Sequence, residues 1–152
     1  MTLPTRQSYM DLALASARAA IALCEVPIGA VVVDPQGKVI GQACNMNRKL
    51  TDVSAHAEIL ALRMAGQAMG SERLVDCDLY VTLEPCPMCA AAIPFARIRR
   101  LYFGASDPKG GGVEHGARIF NQPTCHHAPE VYGGIGATEA GELLRAFFAE
   151  RR

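Results

Sequence analysis

The chain has 152 residues, 50% hydrophobic and 20% charged, with 15 basic and 15 acidic side chains and no formal net charge. That length suits a single domain, 1–152, closing one hydrophobic core, and the apolar share excludes a disordered chain. Balanced charge argues against indiscriminate coating of nucleic acid, and no apolar run approaches the roughly 18 residues that span a bilayer, so no membrane partner is expected.

Residues 1–6 lack the basic-then-apolar pattern of a signal peptide. From Tyr9 to Leu23 apolar residues recur at helical spacing, and Pro27 stands beyond that helix's end. Ile28-Gly29-Ala30-Val31-Val32-Val33 is a β-branched run typical of a buried strand. Asp34-Pro35-Gln36-Gly37 is turn chemistry, and Lys38 to Cys44 is the returning arm of a hairpin. Asn45 to Val53 reads as a polar loop, and Ser54 as the N-cap of a helix from about Ala55 to Ala68, with His56 and Glu58 in its first turn.

Asp78 to Thr82 predicts a third strand. Pro85 is expected to open a helix carrying Cys86 and Cys89 three residues apart on one face, at the positive end of its dipole. Arg100 to Ala105 predicts a fourth strand and Glu130 to Tyr132 a short edge element. Thr138 to Arg151 predicts a terminal helix whose apolar stripe is Leu143, Leu144, Phe147 and Phe148. Alternating helices and strands make this an α/β chain with a sheet between helical layers.

The chemistry concentrates in His56-Ala57-Glu58 and Pro85-Cys86-Pro87-Met88-Cys89. Thiolate and imidazole are the donors zinc prefers, and three protein ligands leave a fourth tetrahedral position for water. His-x-Glu followed by Pro-Cys-x-x-Cys is a signature of zinc nucleobase deaminases. His56, Cys86 and Cys89 are thus the candidate ligands of one zinc. Glu58 is the candidate proton carrier, able to take the proton of the attacking water and return it to the ring nitrogen and the leaving amine. Glu84 reads as an ordinary polar residue at a strand end. Cys24, Cys44 and Cys77 read as small buried hydrophobes, and Cys125-His126-His127 and His115 as loop packing. Scattered thiols suit a reducing compartment, the cytoplasm. Arg97, Arg99 and Arg100 read as solvated arginines flanking a strand, and Arg145, Arg151 and Arg152 as arginines ending a helix, with a local basic footprint as the alternative.

The match extends beyond the ligands. Glu25 to Val31, Asn45, Ala55 to Ile59, Val81 to Cys89, Phe103-Gly104-Ala105, Asp107 with Lys109, and the Phe147-Phe148 helix together closely resemble the bacterial tRNA-specific adenosine deaminases. The resemblance implies a three-layer α/β/α cytidine-deaminase-like fold with a five-stranded mixed sheet, a homodimer and one Zn2+ per subunit. It also implies conversion of adenosine to inosine at the wobble position of an arginine tRNA, bound through its anticodon stem-loop. On the same ground Asn45 hydrogen-bonds the flipped-out base, Ile28 makes an apolar contact to it, and Asp107 and Lys109 meet the flanking nucleotides. The chain departs from the family's commoner form in Gly110-Gly111-Gly112-Val113-Glu114-His115-Gly116, where Glu114 adds negative charge. Two alternatives stay open: a free-base or nucleoside deaminase acting on guanine or cytosine, and a non-catalytic zinc-stabilised binding module with a fourth protein ligand.

Overall fold

A computed structural model describes residues 5–151. Helix α1, Arg6–Ala22, starts at Thr5, whose side chain accepts the Ser8 N–H, and buries Tyr9, Met10, Ala13, Leu14, Ala17 and Ala20. Strand β1, Gly29–Val33, is buried along its whole length. It turns through Asp34, whose carboxylate accepts the Gln36 and Lys38 N–H groups, into the antiparallel strand β2, Val39–Cys44. Helix α2 is Ala57–Met69, β3 Asp78–Leu83, α3 Pro87–Ala96, β4 Arg100–Ala105, β5 Glu130–Tyr132 and α4 Ala137–Ala149.

The five strands form one mixed sheet in the order β2-β1-β3-β4-β5. β1 is antiparallel to β2 and β3, whereas β3, β4 and β5 run parallel. Parallel neighbours need a crossover, and α3 supplies it between β3 and β4. Period-two alternation then sorts the side chains. Val32, Leu79, Val81, Leu101 and Phe103 pack with Ala57, Ala61 and Ala65 of α2 and Ala90 and Ile93 of α3. Val31, Val33, Tyr80 and Tyr102 face Tyr9, Met10, Ala13 and Leu14 of α1 and Ala140 of α4. The alanine stripe lets α2 lie close on the sheet, and a Cβ at Gly41 would run into the Ala61 carbonyl. On the α1 face Tyr80 and Tyr102 stack at 4.4 Å between centroids, and Tyr132 extends the ladder at 5.1 Å.

Several local expectations shift. Ser54 does not cap α2: His56 occupies the N-cap position, and Ser54 instead donates its hydroxyl to Asp52. The cysteine helix opens at Pro87 rather than Pro85, with Cys86 at its N-cap. On α4, Phe147 is buried but Phe148 is 48% exposed, because the helix meets β4 and β3 along a narrower face than its apolar residues suggest. Cys77 is buried, Cys44 half-buried and Cys24 exposed. Arg152 lies outside the described residues. Among those described, no helix is long and apolar enough to cross a membrane.

Candidate metal centre and active site

The carboxyl end of β3 and the N-termini of α2 and α3 converge at one end of the sheet, the side where ligands settle in open α/β sheets. His56 and Cys86 each hold an N-cap position, in extended backbone conformation, and neither side chain caps its own helix. Both side chains are turned towards one point instead. His56 Nδ1 lies 3.5 Å from Cys86 Sγ and 3.4 Å from Cys89 Sγ. A tetrahedron with Zn–S of about 2.3 Å and Zn–N of about 2.0–2.1 Å has an N···S edge of about 3.5 Å, so the donor triangle fits zinc. No fourth His, Cys, Asp or Glu joins the triangle among the described residues. That argues against a closed structural zinc and leaves one coordination position for a small ligand.

The protonation pattern fits a cation as well. Hydrogen bonding from Cys89, then from His56, pulls the Cys86 thiol down to about 4. Cys89 is pushed up, first by that same contact and then by burial, so one proton stays on the pair. The Cys86 hydrogen bond raises His56 too. Two adjacent thiolates become stable together only when a positive charge replaces that proton, which a bound dication does. The dipoles of α2 and α3 add to the same positive field.

Glu58 is 4% exposed, in the first turn of α2. Burial, with the Cys86 charge behind it, lifts its carboxyl to about 7. Its side chain lies against Cys89 without belonging to the donor triangle. A carboxyl poised near neutrality beside a metal can take and return a proton.

Asn45 is 5% exposed, one residue beyond β2, and its Oδ1 accepts the Ala57 N–H at 2.8 Å. With the N-cap position given over to a ligand, Asn45 caps α2 from twelve residues away. Ile28 lies alongside, its carbonyl accepting the Asn45 N–H at 3.1 Å. Asp107 and Lys109 follow β4. The Asp107 Oδ1 accepts the Lys109 and Gly110 N–H groups, and Lys109 is exposed.

Glu84 is not an ordinary polar residue at a strand end. It is 1% exposed and receives five donors from the loop at 107–115. Burial alone would raise its carboxyl, but the Asp107 N–H, the His115 ring and the Glu114 and Val113 N–H groups outweigh that and hold it below its ordinary range. Its partners lie 23–31 residues downstream, out of reach of local pattern. The one local signal is the run Gly110-Gly111-Gly112, in which Gly111 leaves room for the carboxylate and Gly112 for the close approach of Pro87. Glu25 acts in the same way on a smaller scale, accepting the Arg48 and Lys49 N–H groups of the loop before α2. His127 bonds the Ile98 carbonyl, as loop packing predicts, while Arg99 and Arg100 pair with Asp78 and Glu130.

The zinc-binding region of cytidine and deoxycytidylate deaminases matches residues 3–105. A tRNA-specific adenosine deaminase of Agrobacterium fabrum is 62% identical over 97% of this chain and 96% of its own length. A solved structure from a study of A-to-I editing by tRNA:A34 deaminases at the wobble position superposes with a TM-score of 0.89. It is 62% identical, over 91% of this chain and all of that one. The guanine deaminase of Nitrosomonas europaea shares the fold at a TM-score of 0.79 but only 25% identity, over 98% of this chain and 87% of that one. The chain belongs to the zinc-binding cytidine and deoxycytidylate deaminase family, and within it to the tRNA-specific adenosine deaminases.

Proposed function

We propose that this chain is a single-domain hydrolytic deaminase that converts adenosine to inosine at the wobble position of a tRNA anticodon, the stem-loop of an arginine tRNA being its substrate. The observation that carries the reading is the triangle of His56, Cys86 and Cys89 with the buried Glu58 carboxyl against it. These three residues would hold the zinc. When bound, zinc supplies Lewis acidity that activates water towards C6 of the base. Glu58 accepts a proton from the attacking water and delivers it to the ring nitrogen. It then takes the second proton from the oxygen now bonded to C6 and passes it to the leaving amine as the C6–N bond breaks, so that adenosine and water become inosine and ammonia. Asn45 offers Nδ2 to the edge of the flipped-out base while Oδ1 stays on Ala57. Ile28 packs on the base, and Asp107 and Lys109 meet the nucleotides beside it.

The test is inosine formation in an arginine anticodon stem-loop, run beside free adenosine, guanine and cytosine and over a salt series. RNA turnover that weakens as salt rises supports the reading. Brisk guanine turnover with a flat salt response would replace it with a small-molecule deaminase.

The same proposal includes a homodimer through the outer face of α2 and α3. There Phe95 is 76% exposed at a groove of about 540 Å3 that Ile59, Leu62 and Leu74 also line. Apolar surface of this kind marks an association face. Phe95→Asp should halve the sedimenting mass, and a parent already monomeric at micromolar concentration would end this part of the proposal. Six free thiols and an RNA substrate suit the cytoplasm.

A further inference from the structure

The loop that follows β4 is tied to the start of α3 by a single side chain. Glu84 Oε1 accepts the Asp107 N–H at 3.0 Å and faces His115 Nδ1 at 2.8 Å. Its Oε2 accepts the N–H groups of Val113, Glu114 and His115 at 3.2, 2.9 and 3.1 Å. One carboxylate therefore holds both ends of the 107–115 segment. The middle is seated on the cysteine segment itself: the Gly112 N–H donates to the Pro85 carbonyl at 2.8 Å, and a Cβ on Gly112 would come within 2.7 Å of Pro87 Cα. At Gly111 a side chain would occupy the space of the Glu84 carboxylate, 2.5 Å from its Cδ. Glu84 stands two residues before Cys86, so the loop and the metal donors share one short piece of backbone.

We infer that Glu84 is a positioning residue for RNA. It fixes the loop carrying Asp107 and Lys109 at a set distance from His56, Cys86 and Cys89 before substrate arrives. The inference rests on the tRNA reading above. A loop ordered in advance spares the complex the entropy of ordering it on binding, so its release weakens binding and leaves the chemistry of bound substrate intact. Glu84→Gln is the sharpest probe. If the amide oxygen keeps the three donors of residues 113–115, the amide NH2 opposes the Asp107 N–H, and that end of the loop comes free.

The experiment is single-turnover deamination of the anticodon stem-loop by zinc-loaded protein across an enzyme concentration series, with hydrogen exchange of residues 106–116. For Glu84→Gln the half-saturating concentration should rise by about tenfold and the saturating rate stay within about threefold, the signature of lost preorganisation. Exchange in the loop should accelerate while zinc stays near one per chain. His115→Ala removes one donor and keeps the carboxylate. It should give the same pattern at about two- to threefold, and it carries the test if Glu84→Gln does not fold. An active parent whose variants lose saturating rate without a change in half-saturation, or whose loop exchange is unchanged, overturns the inference alone. A parent inert on the stem-loop overturns the substrate reading, and this inference with it.

Discussion

Glu58 and Glu84 are the same residue type, both with little surface open to water, and their surroundings drive them in opposite directions. At the start of α2, Glu58 has burial and the Cys86 charge against it, and its carboxyl rises to about 7. At the end of β3, Glu84 is met by four backbone N–H groups and a histidine ring, and its carboxyl falls. A buried carboxylate short of donors is a base waiting for a proton, whereas one saturated with donors is a structural anion. In the proposed reaction this separation lets protons move through Glu58 without disturbing the loop held by Glu84.

Matched substitutions break this pairing most directly. Glu58→Gln should lower single-turnover deamination by about 10²–10⁴-fold, the share that general acid–base catalysis supplies. Zinc content and thermal midpoint should hold, because Gln is isosteric and carries no charge to bury. An equal loss of zinc would show that Glu58 is a ligand after all.

Glu84→Ala should do the converse, destabilising the fold by at least about 2 kcal/mol, since each buried donor left unpaired costs about 1–3 kcal/mol. Urea unfolding measures it. A change below about 0.5 kcal/mol, the usual scatter of surface substitutions, would mean that water replaces the carboxylate freely.

Asn45→Ala tests the cap between the two regions. Loss of an N-cap acceptor costs about 1 kcal/mol, and the stem-loop should bind more weakly as well. A stability loss with unchanged substrate affinity would restrict Asn45 to capping.

Lys109→Ala is the mildest. It should reduce the slope of log affinity against log salt by about one, the contribution of one phosphate contact. An unchanged slope would place Lys109 off the RNA.

Much of the architecture is written locally. The runs Val31-Val32-Val33 and Leu79-Tyr80-Val81 declare strands by their branching and aromatic content, and both lie in the sheet. His56, Cys86 and Cys89 are legible because metal ligands come as particular residue types at particular spacings. Their convergence within 4.8 Å turns that chemistry into geometry. The helix starts mislead for a related reason. Ser54 is the obvious cap by local pattern, yet the ligand His56 takes the cap position and a distant Asn45 supplies the oxygen.

By itself the amino-acid order determined which residues could bind zinc, where the strands run and which chemistry the donors favour, because those properties belong to side-chain type and short-range periodicity. Only the tertiary structure decided that Glu84 is an anchor and not an ordinary residue at a strand end. It also decided which face of α4 stays wet and which loop lies across the cysteine segment. Each of those depends on the partners that arrive from elsewhere in the chain. For Glu84 the deciding donors come from residues 107–115, brought to it when β4 pairs with β3, so its role has no local cause to read.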